Sequence, residues 1–145
     1  MKNWIFLFTM HLFIGLNCYG DEKGQTTIKS KWQSDLIFEL TEINHVKVLS
    51  ASRNKEGQEM VLFEANINEA ELKELSLSIQ IDEKRSGFHC MCNGDYLFKF
   101  YKNDKFVVTL GYHHGRSLRW HEGKWQGDAL LTKKSQETLI QWFLK

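Results

Sequence analysis

The chain of 145 residues contains no proline. That excludes proline-rich linkers and a folding step limited by a native cis-proline. Cysteine is scarce, with only Cys18, Cys90 and Cys92. No excess of one charge exists either: 19 basic side chains face 18 acidic ones, for a formal net charge of +1. A nucleic-acid binder or a polybasic membrane binder needs Lys and Arg in excess on one face, so the balance argues against both. The sequence also lacks a phosphate-binding glycine loop, Gly-x-Ser-x-Gly, His-Glu-x-x-His, an EF-hand loop and any Asn-x-Ser/Thr sequon. The first four absences remove the familiar nucleotide, serine-hydrolase, zincin and calcium readings.

One long apolar run is present, Trp4 to Leu16, preceded by Lys2. It has the length of a signal h-region and falls short of the roughly 20 apolar residues of a membrane span. Residues 1–20 therefore read as a signal peptide cut after Gly20, and the polar stretch 21–34 as a flexible lead-in. Lipoprotein processing, which would make Cys18 an acylated first residue, is the alternative, although Asn17 makes a poor lipobox. The expectation is an exported protein, periplasmic or secreted, touching a membrane only through a lipid at Cys18. Its protein partner, if it has one, would sit in the envelope. Such a compartment permits disulfides, and Cys90 and Cys92 would be the cysteines left to form one.

The remaining length suits a single domain at 35–145. Leu36 to Leu40 suits a strand or a helical turn. Val46 and Val48 begin a strand, Asn54 to Gly57 a turn, and Met60 to Phe63 the returning strand. Asn68 and Glu71 have capping-box spacing ahead of Leu72, Leu75 and Ile79 at helical spacing. After Gly87 the period becomes alternating. Tyr96 to Tyr101 and Phe106 to Tyr112 read as a hairpin turned at Asn103-Asp104. Leu118 and Trp120 start another strand, with Glu122-Gly123 turning the chain to bring Trp125 beside Trp120. Thr132 caps a last helix whose buried side carries Leu139, Ile140, Phe143 and Leu144. These elements predict an α+β fold, a mainly antiparallel sheet with two helices.

Chemistry-bearing residues cluster between His89 and His121. In an extended Cys90-Met91-Cys92, both sulfurs face one side and His89 and Met91 the other. Zinc takes four nitrogen or sulfur ligands, so Cys90 and Cys92 with His113 or His114 form a candidate site. Copper(I) favours soft sulfur, which Met91 would supply by turning inward. A simple Cys90–Cys92 disulfide, two small core side chains, and a reactive thiol pair remain open beside the metal reading. His113 and His114 follow a strand, where neighbours point to opposite faces, so only one is expected to reach the cysteines readily. Asp95 follows the Asn93-Gly94 turn, either bonding its amides or orienting a histidine. Arg116 and Arg119 suit a bidentate clamp on a carboxylate or phosphate, or salt bridges to Asp128 or Glu122. Trp120 belongs either to the core or, beside Arg119, to a ligand pocket.

The blocks Cys90-Met91-Cys92-Asn93-Gly94-Asp95, His113-His114-Gly115-Arg116-Ser117-Leu118-Arg119-Trp120 and Trp125-Gln126-Gly127-Asp128-Ala129 carry a resemblance. This part of the chain, roughly Phe88 to Lys145, resembles a group of uncharacterised small bacterial proteins with Cys-Met-Cys-x-Gly-Asp and His-His-Gly-x-Ser-Leu-Arg-Trp blocks. The group has no assigned activity, so the resemblance implies a single functional unit at Phe88 to Ala129 and no catalytic residue. Three functions follow from the sequence. The first is an exported zinc or copper protein on Cys90, Cys92, His113 and His114. The second is a thiol-dependent or redox enzyme at Cys90/Cys92. The third is an envelope-associated binding or inhibitor-like module without metal, using Asp95, Arg116, Arg119 and Trp120.

Overall fold

A computed structural model describes residues 31–143; the expected signal peptide with Cys18, the lead-in before Lys31, and Leu144 lie outside the described residues. Helix α1 (Lys31–Glu39) leads into strands β1 (His45–Arg53) and β2 (Glu59–Asn66) and helix α2 (Glu69–Ser78). A 3-10 turn at Glu83–Arg85 and a long connection precede β3 (Tyr96–Lys102), β4 (Lys105–His113), β5 (Ser117–Trp120), β6 (Ala129–Leu130) and helix α3 (Lys133–Phe143). The strands form one sheet in the order β2-β1-β3-β4-β5-β6, antiparallel at every pairing. The α+β class, the mainly antiparallel sheet and the single domain match the sequence pattern. The helix count does not: the described residues hold three α-helices, not two. No helix among the described residues is long and apolar enough to cross a membrane.

The additional helix is α1, where the sequence left strand and helical turn open. Its first residues overlap the stretch read as lead-in. Leu36 and Leu40, four residues apart, are buried, and Trp32 stacks on Trp125 with ring centroids 5.5 Å apart. Gln33 Nε2 donates to the Ile79 carbonyl at 2.7 Å, tying α1 to the end of α2. Long-range contacts stabilise a helix of nine residues, a length that is marginal on its own.

Helix α2 starts as its spacing predicts. The Glu71 amide donates to Asn68 Oδ1 at 3.0 Å and the Asn68 amide to Glu71 Oε2 at 2.9 Å. Leu75 and Ile79 are buried and Leu72 packs partly against them. In α3, the Ser135 amide donates to Thr132 Oγ1 at 3.3 Å, and Leu139 is buried.

Alternation sorts the sheet into two faces. Val46, Val48, Phe98, Phe100, Val108, Leu110, Tyr112, Leu118 and Trp120 share one face and form a single cluster with Leu36, Leu40, Leu75, Ile79 and Leu139 of the helices. Each such fully buried aliphatic or aromatic side chain contributes about 1.5–3 kcal/mol. The opposite face carries Leu97, Thr109, Gly111, His113, Ser117 and Arg119, paired as Leu97 with Gly111, Gly111 with Arg119 and His113 with Ser117.

The hairpin at Asn103-Asp104 closes with both residues at positive φ, 48° and 64°, the type I′ geometry that two-residue hairpins favour. Beyond β5 the chain departs from the simple hairpin expected there. Trp125 does return to Trp120, edge to face at 5.3 Å, but the strand that pairs with β5 is the two-residue β6.

Candidate metal centre

The connection from Gly87 to Asp95 has little secondary structure, and hydrogen bonds from the sheet fix its path. Phe88 forms an isolated bridge with Asp128. At the other end, the Asp95 amide donates to the Tyr112 carbonyl at 2.7 Å. Between these anchors Arg119 reaches up from β5. Its Nη1 donates to the Cys92 carbonyl at 3.2 Å and its Nη2 to the Cys90 carbonyl. The same guanidinium grips Asp128, Nε to Oδ1 at 2.7 Å and Nη2 to Oδ2 at 3.0 Å. Asp128 Oδ2 also accepts from the Cys90 amide at 3.2 Å. Asp128 has no exposed surface. Burial alone would raise its pKa, but the Arg119 hydrogen bonds and charge and the Cys90 amide outweigh it, holding the carboxyl below its ordinary value.

This clamp presents both cysteines to the end of β4. Cys90 and Cys92 are half-buried and joined as a disulfide, while His89 and Met91 are exposed, Met91 at 96%. Met91 therefore faces away from the site rather than adding a third sulfur. His113 ends β4 with its ring fully buried, and its Nδ1 lies 3.2 Å from Cys92 Sγ. His114 Nε2 lies 3.2 Å from both Cys90 Sγ and Cys92 Sγ.

Both histidines reach the sulfurs, where strand geometry allowed only one. The reason is local. His114 is not on the strand: it has φ 52°, Gly115 follows at φ 65°, and the Arg116 amide closes the turn on the His113 carbonyl at 3.0 Å. Two successive left-handed residues reverse the chain tightly and swing the second imidazole back over the first. The ring centroids stand 6.5 Å apart.

Donor atoms of Cys90, Cys92 and His113 all lie within 4.8 Å of one another. His114 stands outside that group, its Nε2 close to the two sulfurs on the solvent side. His113 is pushed toward the neutral form, first by burial and then by the Arg119 charge. A neutral imidazole is the form that ligates metal.

The other candidate residues have different places. Arg119 is spent on the loop carbonyls and Asp128, the salt bridge anticipated as its alternative role. Glu122 instead accepts from the Thr109 amide at 2.9 Å. Trp120 is buried in the core against Trp125. Arg116 sits exposed on the turn. Asp95 is exposed and serves the fold through its backbone, its carbonyl accepting from the Ala51 amide at 3.2 Å.

Sequence reasoning placed His121 at the end of the cluster but gave it no role. A Cβ on Gly111 would lie 2.8 Å from both His113 Nε2 and His121 Nε2, so the two rings face one another across that glycine. Their proximity follows from the pairing of Gly111 with Arg119, a register that residue spacing does not disclose.

Compared with protein-family models, curated proteins and solved structures, the chain matches none.

Proposed function

We propose that the reduced protein binds one zinc ion through Cys90 Sγ, Cys92 Sγ, His113 Nδ1 and His114 Nε2. The observation that carries the reading is the convergence of two sulfurs and two imidazole nitrogens with nitrogen–sulfur separations of 3.2 Å. Ideal tetrahedral zinc, with its usual bond lengths, sets nitrogen–sulfur edges of about 3.6 Å and a sulfur–sulfur edge of about 3.8 Å. The three nitrogen–sulfur separations of 3.2 Å are within a few tenths of an ångström of that edge, whereas His114 must approach His113 and the sulfurs must part from a bonded pair. Zinc and the disulfide thus exclude one another.

Two features favour zinc over copper(I), the other metal that the sequence suggests. A mixed set of two thiolates and two imidazoles suits a borderline ion, and two thiolates neutralise its charge, whereas copper(I) would leave a net negative centre. Met91, the extra soft ligand for copper, points into solvent. With four protein ligands engaged, no position stays open for an activated water. The reading is therefore a binding or stabilising centre, not a metallohydrolase.

The test is the native mass of the protein made in an exporting host without chelator. An excess of one zinc ion, lost on denaturation and absent from Cys92→Ser, supports the proposal. Unchanged metal content in Cys92→Ser sinks it. A second reading rests on the disulfide itself, half-buried and flanked by two imidazoles. In it a dithiol substrate is oxidised as the Cys90–Cys92 bond is reduced, two electrons and two protons passing to the protein sulfurs. A native mass two hydrogens below the reduced chain, with no metal taken up after reduction, would favour that redox role.

A further inference from the structure

His113 has one nitrogen committed to the sulfurs and one that is not. Its Nε2 is buried with no hydrogen-bond partner, one of only two such side-chain atoms among the described residues. An imidazole that ligates a metal through Nδ1 carries its proton on Nε2, and that proton ordinarily goes to an acceptor that fixes both tautomer and ring orientation. The metal reading therefore requires an acceptor at this atom.

Two glycines mark where Nε2 lies and what stands beside it. The ring edge lies in a slot between two glycines. A Cβ at Gly94 would stand 3.1 Å from Nε2, and one at Gly111 would stand 2.8 Å from it. Gly94 has φ 87°, where a side chain is strained in any case. The same Gly94 Cβ would meet the Tyr112 carbonyl oxygen at 2.9 Å, and that carbonyl already accepts the Asp95 amide at 2.7 Å. On the Gly111 side, His121 Nε2 stands at the same 2.8 Å from the Gly111 Cβ position as His113 Nε2. The two nitrogens are thus within about twice that distance, and no hydrogen bond joins them here. His121 is exposed and can move, whereas the His113 ring is held on both sides.

We infer that His121 is the positioning residue of the metal centre. Its Nε2 closes on His113 Nε2 and accepts the proton there, which locks His113 in the tautomer that leaves Nδ1 free to bind zinc. The absence of side chains at Gly94 and Gly111 makes room for this contact. His121 touches neither zinc nor sulfur and acts only through His113. The inference rests on the proposed zinc site.

The experiment compares wild type, His121→Ala and His121→Gln as full-length reduced proteins. Zinc affinity is read by competition with a chromophoric chelator, and the His113 tautomer by two-bond proton–nitrogen correlation on histidine-labelled protein. Wild type is expected to take up zinc with the His113 proton on Nε2. His121→Ala should bind zinc about ten-fold more weakly or worse. His121→Gln retains an acceptor and should recover most of the loss. Thermal midpoints of the three disulfide forms should agree, which separates positioning from folding. Zinc affinity of His121→Ala within two-fold of wild type would overturn the inference while leaving the zinc site standing; a His113 proton found on Nδ1 in the zinc form would overturn the inference and the proposed Nδ1 ligation together. A wild type that takes up no zinc would overturn both.

Discussion

Replacing Arg119 by alanine tests the frame on which the candidate site is built. Four contacts are lost: two to the Asp128 carboxylate and one each to the Cys90 and Cys92 carbonyls. Asp128 keeps only the Cys90 amide as a partner and has no exposed surface through which water could compensate. Removing one member of a buried pair leaves an uncompensated charge and costs about 3–5 kcal/mol. The half-buried loop carbonyls add less, about 0.5–1.5 kcal/mol each, since water can replace their donor. Urea unfolding of the disulfide form at pH 7 should show a loss of about 3 kcal/mol or more, on the order of 10 °C in thermal midpoint. Arg119→Lys keeps the charge but cannot span two carbonyls and a carboxylate with one ammonium, so it should fall between alanine and wild type. The double replacement Arg119→Met with Asp128→Leu should cost less than Arg119→Ala alone, because no charge is left buried. A loss below about 1 kcal/mol in Arg119→Ala would refute the reasoning, since that is the scale of an exposed pair.

Further outcomes follow from the same geometry. Asp128 has its carboxyl held below its ordinary value of 3.8, so its contribution is complete above that pH and is lost as pH falls through the lower folded value. Stability measured by urea from pH 7 to pH 2 should decline more steeply at the acid end in wild type than in Asp128→Asn. Gly127 has φ 107°, and a Cβ there would stand 2.7 Å from the Phe88 carbonyl oxygen. Gly127→Ala should therefore destabilise by about 2 kcal/mol or more in the same assay, and an unchanged midpoint would contradict it. Asn68→Ala removes the side-chain half of the α2 capping box, leaving the backbone amide there to donate to Glu71, and should cost about 1 kcal/mol, read by urea unfolding, with zinc uptake unaffected.

The sheet was legible in the sequence because its strands alternate cleanly and two of its turns carry strong local signals. Helix α2 was legible through Asn68, Glu71 and the spacing of Leu72, Leu75 and Ile79. Helix α1 was not, because its anchors, Trp125 and the Ile79 carbonyl, are remote in sequence and its composition resembles a polar tether. The clustering of cysteine and histidine pointed to the candidate site. Its geometry depended on features without a local signature: the left-handed backbone at His114, the use of Arg119 as an internal clasp, and the register that sets His121 against His113. Strand logic failed at His114 for a physical reason. The residue belongs to the turn, where the alternation of faces no longer holds.

The Arg119 clasp also bears on when chain entropy is lost. Fixing one residue's backbone costs about 1–2 kcal/mol, and the loop around Cys90 and Cys92 must be ordered before its sulfurs can act together. If the reduced site takes a zinc ion as proposed, that cost falls on folding rather than on ion capture, because the guanidinium holds both cysteine carbonyls through contacts with the folded sheet. Affinity at such a centre then reflects mainly bond formation and side-chain adjustment, and ion uptake should leave the backbone spectrum of the loop nearly unchanged.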